Sequence, residues 1–153
     1  MLNMRNDPWV TLNNCRCRAV VVSHDGGETW SDIAYDATLV DPVCEGAIAQ
    51  IGHTYTLFSN PAMVSARANL TVRVSADGGQ TWPSSVRLGD SAALGDYSSI
   101  VQGKLIRGGT INPANLAVGV IWGSCTIPWP FRPWCMLGRA WNVYFTRFEL
   151  PDV

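Results

Sequence analysis

The chain has 153 residues, of which 47% are hydrophobic and 15% are charged. This length suits one domain, and the composition is too apolar for a disordered chain. Eleven basic and twelve acidic residues give a net charge of −1, so we expect no binding of nucleic acid, which needs a basic surface. The longest apolar run, residues 116–122, is far shorter than the ~18 residues of a transmembrane helix. The first ten residues lack the apolar stretch of a signal peptide.

Short runs rich in aliphatic, aromatic and β-branched residues recur along the chain, bounded by Gly, Pro, Asn, Asp or Ser. In chain order they cover residues 16–23, 47–51, 54–59, 69–75, 85–88, 97–102 and 143–150. The run at 69–75 alternates, with Leu70, Val72 and Val74 on one face of a strand and polar residues on the other. Because no stretch shows a sustained 3.6-residue period, the sequence predicts an all-β fold.

An octet that follows two of these runs is repeated. Residues 23–30 read SHDGGETW and residues 75–82 read SADGGQTW, identical at six of eight positions and 52 residues apart. Such an octet predicts a tight hairpin, in which Asp and Ser bind nearby amides, glycines supply positive φ and Trp packs onto the sheet. The positions given this structural role are Ser23, Asp25, Gly27, Thr29 and Trp30, and Ser75, Asp77, Gly79, Thr81 and Trp82. Two octets indicate a repeated four-stranded unit, as in a β-propeller, and the chain has room for about three such units.

One region departs from this pattern. Between Gly108 and Trp141 there is no acidic residue, while four Trp, four Pro and two Cys lie close together. Because proline is excluded from central strands, we expect the strand pattern to resume only at Asn142. The atypical segment, about residues 103–141, is interpreted as a buried loop, a partner-binding patch, or sequence foreign to the ancestral fold.

The cysteines and one sequon leave the cellular compartment open. There are five cysteines, an odd number that leaves one thiol unpaired unless it bonds another chain. The spacing of Cys15 and Cys17 fits neither a zinc knuckle nor a redox CxxC pair, so we expect no metal site. Asn69 begins an N-glycosylation sequon, which matters only in a secreted or lumenal protein.

The octets match the Asp-box (BNR) repeat, S-x-D-x-G-x-T-W, and the chain resembles a sialidase. LNMRN at 2–6 resembles the strand with the second arginine of that family's triad, and DPVCEGAI at 41–48 with ARANLTVRVS at 66–75 resembles the stretch with the third. GDYSSI at 95–100 resembles the strand with the nucleophilic tyrosine, and FTRFELPDV at 145–153 resembles a sialidase C-terminus. The resemblance covers roughly residues 1–102 and 142–153, and the sequences of these motifs are closest to the animal lysosomal type.

Carried onto this chain, the resemblance implies a retaining exo-α-sialidase that releases terminal sialic acid from glycoproteins, glycolipids or oligosaccharides. It implies Arg5 and Arg67 as ligands of the substrate carboxylate, which a guanidinium fork binds with two hydrogen bonds. It implies Tyr97 as the nucleophile, because a phenol is not repelled by that carboxylate as Asp or Glu would be. Glu45 is interpreted as a supporting residue, since the family's general base precedes the second arginine. The resemblance implies no cofactor, a sialylated glycan as partner, and a lysosomal or membrane-associated location.

The resemblance is to the C-terminal part of a sialidase propeller, about three of its six blades, and we assign the whole of residues 1–153 to it. The first triad arginine, the acid/base aspartate and the glutamate that activates the tyrosine would lie upstream of Met1. We therefore expect full activity to need an N-terminal half, or a partner chain, that closes the propeller. The alternative hypothesis is a non-catalytic Asp-box module that binds glycans or proteins, or an inactive fragment.

Overall fold

A computed structural model of the chain describes residues 1–7, 13–89, 94–107, 110–125 and 142–150. Within these ranges the chain forms ten β-strands in three antiparallel sheets and no helix, so none that could span a bilayer. The strands are β1 (Leu2–Met4), β2 (Cys17–Val21), β3 (Ala34–Val40), β4 (Ala47–Ile51), β5 (Tyr55–Pro61), β6 (Leu70–Ser75), β7 (Ser84–Arg87), β8 (Leu94–Arg107), β9 (Thr110–Cys125) and β10 (Asn142–Glu149). The predicted all-β class is confirmed.

The first sheet has the order β1-β2-β3, with Leu2 opposite Val21 and Ala19 opposite Tyr35. The central strand β2 is almost wholly buried, whereas the edge strand β3 is mostly exposed. The register shifts between Cys17 and Arg18, where β2 meets the end of β3. Such an irregularity can re-aim a side chain, and here Arg18 is buried.

The second sheet is a four-stranded meander, β4-β5-β6-β7. In β6 the predicted alternation is present, because Leu70 and Val72 are buried while Thr71 and Arg73 are half-buried. The adjacent strand β5 is buried along nearly its whole length, as a strand covered on both faces must be. This sheet contacts both of the others: Asn60 of β5 donates to the Val40 carbonyl of β3, and β4, β5 and β6 contact β8 of the third sheet.

The third sheet has the order β10-β9-β8, and its central strand lies in the segment that the sequence marks as atypical. The expectation that the strand pattern resumes only at Asn142 is wrong for residues 110–125, which form β9. Proline is tolerated there because Pro113 falls in a break of register, between the pairs Leu105–Asn112 and Lys104–Leu116. Residues 126–141, the rest of the Trp/Pro/Cys-rich run, lie outside the described residues.

The main core lies between the second and third sheets. Its buried members are Ile51, Leu57, Leu70, Val72, Leu88, Val118, Val120, Trp122 and Leu150. The Trp122 ring stacks on Tyr144 at 4.8 Å, and its indole nitrogen donates to Thr146 Oγ1 at 3.1 Å. Gly89 has a φ of +70°, and a Cβ at that position would lie 2.5 Å from the Trp122 ring, so only glycine fits against the indole.

The two repeated octets form the same hydrogen-bonded turn. Ser75 Oγ donates to Asp77 Oδ1 and accepts from the Gly79 amide, while Asp77 accepts from the Gln80 and Thr81 amides. The first octet repeats this arrangement through Ser23, Asp25, Gly27 and Thr29. Hydrogen bonds from Ser75 and Thr81 hold the pKa of Asp77 well below its usual range, and those from Thr29 and Ser23 do the same for Asp25.

The two octet tryptophans differ. Trp82 is half-buried, with its ring 6.0 Å from that of Phe58 and its indole nitrogen donating to Asp36 Oδ2. Trp30 does not pack onto its sheet as expected: 44% of its surface is exposed, and its indole nitrogen binds Gly27 O within its own turn. The strand that follows Trp30, β3, is itself mostly exposed and offers little buried surface.

Candidate functional site

Arg67 and Tyr97 come together at the boundary between the second and third sheets. Arg67 lies in the connection between β5 and β6, and Tyr97 lies in β8. The Arg67 guanidinium carbon is 5.6 Å from the centre of the Tyr97 ring, within the range of a cation–π contact. The Tyr97 side chain is 53% exposed. A guanidinium and an accessible phenol thus face solvent side by side.

Asp96 holds the Arg67 guanidinium in place. Arg67 Nη1 donates to Asp96 Oδ1 at 2.9 Å, and Nη2 donates to the Val43 carbonyl at 3.4 Å. Val43 has a φ of +61°, a conformation that costs free energy for a β-branched residue and often occurs at functional sites. Burial lowers the pKa of Arg67, but Cys44, Tyr97 and Asp96 more than offset it, so that the pKa is raised.

Cys44 supports Asp96 from the protein interior. The Cys44 thiol is fully buried and donates to Asp96 Oδ1 at 3.2 Å, the oxygen that Arg67 also contacts. Burial, followed by the hydrogen bond to Asp96, raises the pKa of Cys44 to about 12. The thiol therefore stays protonated and serves as a hydrogen-bond donor.

Behind this group lies a buried ion pair. Arg18 Nη1 contacts Asp41 Oδ2 at 3.1 Å, with 2% and 0% of their side-chain surfaces exposed. The same nitrogen donates to the Cys44 carbonyl at 2.6 Å, and Asp41 Oδ1 accepts from the Cys44 amide at 3.0 Å. The guanidinium carbon of Arg18 also lies 5.5 Å from the centre of the Phe58 ring. Burial lowers the pKa of Arg18, against the opposing effect of Asp41.

Arg5 directly follows a strand, β1, whose Asn3 contacts this ion pair. Its side chain is exposed. Asn3, two residues earlier, accepts from Arg18 at its side-chain oxygen (2.6 Å) and its carbonyl (3.2 Å). In the described part of the chain, Arg5 forms no hydrogen bond or ion pair with Arg67 or Tyr97.

Glu45 lies beside the tyrosine strand. Its carboxylate oxygen Oε2 accepts from the Ser98 amide at 3.2 Å, one residue after Tyr97. Ser98 Oγ in turn lies 2.7 Å from Ser59 Oγ on β5. This contact fits the supporting role that the sequence suggests, because it fixes the backbone of β8 next to the phenol.

A cavity of about 550 Å³ opens next to Arg67. It is lined by Arg16, Pro42, Val64, Ser65, Ala66 and Arg67. In the described part of the chain, no group of His, Cys, Asp and Glu side chains is arranged to hold a metal ion.

Asn69, the sequon residue, lies two positions from Arg67. It has a φ of +57°, which asparagine tolerates better than most residues. Its carbonyl accepts from the Ala62 amide and from Thr71 Oγ1, so the sequon hydroxyl is bound within the sheet. Whether Asn69 carries a glycan stays a prediction.

Sequence reasoning missed the residues that connect this site. Asp96 immediately precedes Tyr97, and Cys44 immediately precedes Glu45, so both lie inside the quoted motifs. Arg18 directly follows Cys17. The only signal in the sequence was that each is a polar or ionisable residue within or next to a strand. Their partners could not be predicted, because Arg18 pairs with Asp41, 23 residues away, and Cys44 with Asp96, 52 residues away.

Comparisons with known proteins place the chain in a family. The family model described as BNR repeat-like domain matches residues 1–110. A sialidase of Bacteroides fragilis (strain YCH46) is 33% identical over 90 residues, which cover 54% of this chain and 15% of the relative. A sialidase of Micromonospora viridifaciens is 39% identical over 75 residues, 43% of this chain and 12% of the relative. The solved structure of Hadza microbial sialidase Hz136 matches with a TM-score of 0.57 and 29% identity, over 78% of this chain and 22% of that one.

These matches show the family of the chain and bear on the expectation of an animal lysosomal type. The chain spans between 12% and 22% of the length of the three relatives. All three are described as bacterial or microbial, so they lend no support to the animal lysosomal type. The three antiparallel sheets, with a sialidase as structural neighbour, confirm the predicted partial β-propeller. The chain therefore belongs to the BNR repeat-like domain family and is a relative of the sialidases.

Proposed function

We propose that this chain contributes the carboxylate-binding arginine and the nucleophilic tyrosine of an exo-α-sialidase site. The observation that carries the proposal is the contact between the Arg67 guanidinium and the Tyr97 ring, 5.6 Å apart at an accessible surface. Terminal sialic acid has its carboxylate on the anomeric carbon. A ligand whose carboxylate is bound by Arg67 therefore presents its reacting carbon within reach of a neighbouring side chain.

Each residue has a chemical part in this proposal. Arg67 binds the substrate carboxylate through the donors that Asp96 and Val43 leave free, and a guanidinium stays charged at any working pH. Tyr97 attacks the anomeric carbon, the glycosidic bond breaks, and the covalent intermediate is then hydrolysed by water with retention of configuration. The positive charge of Arg67 favours negative charge that develops on the phenolic oxygen. We assign the exposed Arg5 as the second carboxylate ligand, a role that rests on the resemblance.

The acid/base chemistry requires groups beyond those in contact with Tyr97 here. A phenol needs a neighbouring base to act as a nucleophile at neutral pH. We propose that a further part of the propeller, in the same polypeptide or in a partner chain, supplies the base and the acid. The outer face of the third sheet is suited to pack against such a part, because Val101, Ile121, Val143 and Phe145 are exposed on it. The lysosomal or membrane-associated location stays a prediction that follows from the resemblance alone.

The experiment that tests the proposal is hydrolysis of a fluorogenic sialoside by the purified chain, together with binding of N-acetylneuraminic acid followed by NMR. Tyr97→Phe removes the nucleophile, and Tyr35→Phe, an exposed tyrosine on β3, is the matched control. We expect Arg67→Gln to weaken binding of the free acid and Tyr35→Phe to preserve it. Turnover needs the acid and the base of the rest of the propeller; where it is measured with that part present, Tyr97→Phe should abolish it and Tyr35→Phe should preserve it. Turnover that persists in Tyr97→Phe would refute the role of Tyr97, and the absence of both turnover and binding would refute the site.

The second candidate is a non-catalytic glycan-binding module. It is favoured by one observation: among the described residues, no carboxylate hydrogen-bonds to the Tyr97 hydroxyl, while Arg67 remains available to bind an acidic sugar. Binding of N-acetylneuraminic acid that is lost in Arg67→Gln but retained in Tyr97→Phe, with no turnover even when the rest of the propeller is present, would support this candidate over the enzyme.

A further inference from the structure

The cavity beside Arg67 has a second cation. Arg16 lines it from the side of the first sheet and Arg67 from the side of the second. The other described residues that line it are the apolar Pro42, Val64 and Ala66 and the polar Ser65. Its volume of about 550 Å³ is within the usual ~300–1,000 Å³ of small-molecule sites. No acidic residue is among the described residues that line it.

The backbone of Arg16 is fixed although its side chain is exposed. Its carbonyl accepts from the Asp41 amide at 3.0 Å, and a Cys15–Cys17 disulfide encloses it on both sides. Cys17 is buried in β2. The backbone from which the Arg16 side chain reaches the cavity lining is therefore anchored.

The nearby carboxylates are already engaged elsewhere. Asp41, whose amide binds the Arg16 carbonyl, has its side chain buried against Arg18 and the Cys44 amide. Asp96 is bound by Arg67 and by the Cys44 thiol. Arg16 itself forms no ion pair with any residue in the described ranges. Arg67 thus already has an acidic partner, whereas Arg16 has none among the described residues, so a carboxylate bound at Arg67 would leave the charge of Arg16 without a local counter-charge.

We propose that Arg16 forms a second anion subsite, which takes a second carboxylate on the glycan next to the terminal sialic acid. The inference rests on the proposed function, because it assumes that the first carboxylate binds Arg67. A planar carboxylate matches the guanidinium fork of Arg16, and the apolar residues that line the same cavity accommodate the carbon skeleton that joins the two acidic groups. The chain then favours glycans that end in two linked sialic acids over glycans that end in one.

The test compares the affinities of disialyllactose and 3′-sialyllactose for the chain, measured by NMR titration at low salt. We expect disialyllactose to bind about fivefold more tightly, the scale of one exposed ion pair. Arg16→Gln should remove this preference and leave the affinity for 3′-sialyllactose unchanged. Arg87→Gln, an exposed arginine on β7 that does not line the cavity, is the matched control and should keep the preference.

The outcomes separate this inference from the proposed function. Binding of both ligands with equal affinity, or a preference that survives Arg16→Gln, would overturn the subsite while leaving the Arg67 site intact. Failure of both ligands to bind would overturn the proposed function and the subsite with it. The preference should also shrink at high salt, because screening weakens an exposed ion pair.

Discussion

Replacing Arg18 by methionine tests how much the buried ion pair behind the site stabilises the fold. Methionine fills similar space without charge, so Asp41 would keep its negative charge in the interior without a cation. Breaking a buried pair in this way costs about 3–5 kcal/mol. Asp41 still accepts from the Cys44 amide at 3.0 Å and the Asn6 amide at 3.4 Å, so we expect the lower end, about 3 kcal/mol.

The assay is urea unfolding followed by tryptophan fluorescence. A loss of about 3 kcal/mol is large beside the ~5–15 kcal/mol by which domains are usually stable. Arg87→Met, at an exposed position on β7, is the control and should change the free energy of unfolding by less than about 0.5 kcal/mol. The double variant Arg18→Met/Asp41→Asn removes both charges and keeps an acceptor for the Cys44 amide. It should be more stable than Arg18→Met alone.

Two results would refute the reasoning. A cost for Arg18→Met below about 1 kcal/mol would mean that water or another group compensates Asp41. A double variant no more stable than the single one would mean that the lost packing of Arg18 against Phe58, rather than the unpaired charge, causes the destabilisation.

Three further predictions concern the groups around the site and the repeats. Asp96→Ala should weaken binding of N-acetylneuraminic acid about fivefold, because Arg67 loses a charged partner at a partly exposed site. Asp96→Asn keeps a hydrogen-bond acceptor and should weaken binding less. Equal effects of the two variants in an NMR titration would contradict a positioning role for Asp96. The low pKa of Asp77 in the folded state means that its contribution to stability is complete above the unfolded value of ~3.9 and is lost as pH falls below it. Asp77→Asn should therefore flatten the dependence of thermal stability on pH below about 4, whereas the exposed control Asp32→Asn should not. The pKa of Cys44 is raised to about 12, so the stability of the fold should fall as pH rises above ~8.5, the pKa of a thiol in the unfolded chain. Iodoacetamide at pH 8 should modify Cys44 only in urea, as mass spectrometry of its peptide can show.

The strands that the sequence predicted are those whose burial is regular along the chain. The alternation at residues 69–75 became β6, which begins one residue later at Leu70, and the apolar run at 47–51 became β4 with the same bounds. β3 was missed because, as an exposed edge strand, it lacks a continuous apolar face. β9 was missed because Pro113 argued against a strand, and only the pairing of β8 with β9 shows that this proline falls in a break of register.

In the site, too, some residues could be predicted from local sequence and others could not. Arg67 and Tyr97 could be predicted because each lies in a motif whose sequence resembles that of sialidases. That Asp96, rather than another acidic residue, meets Arg67 depends on where β8 packs against the connection between β5 and β6, which no local pattern encodes. Arg18 was harder still, since an arginine in a strand is usually solvated; its burial follows from an irregularity between Cys17 and Arg18 and from a partner 23 residues away.

The contacts also explain why an exposed two-residue site needs so much buried charge behind it. Arg67 takes its orientation from Asp96 and the Val43 carbonyl, and Asp96 takes its own from the thiol of Cys44. The backbone of Cys44 is held at its amide by Asp41 and at its carbonyl by Arg18. Binding a carboxylate in a defined pose requires a guanidinium that does not move, because each lost rotamer must otherwise be frozen when the ligand binds. A buried ion pair whose net contribution to stability is modest can therefore be retained for the geometry it imposes on the residues in front of it. Variants at Arg18 that still fold should accordingly weaken carboxylate binding at Arg67 although no atom of Arg18 reaches the ligand.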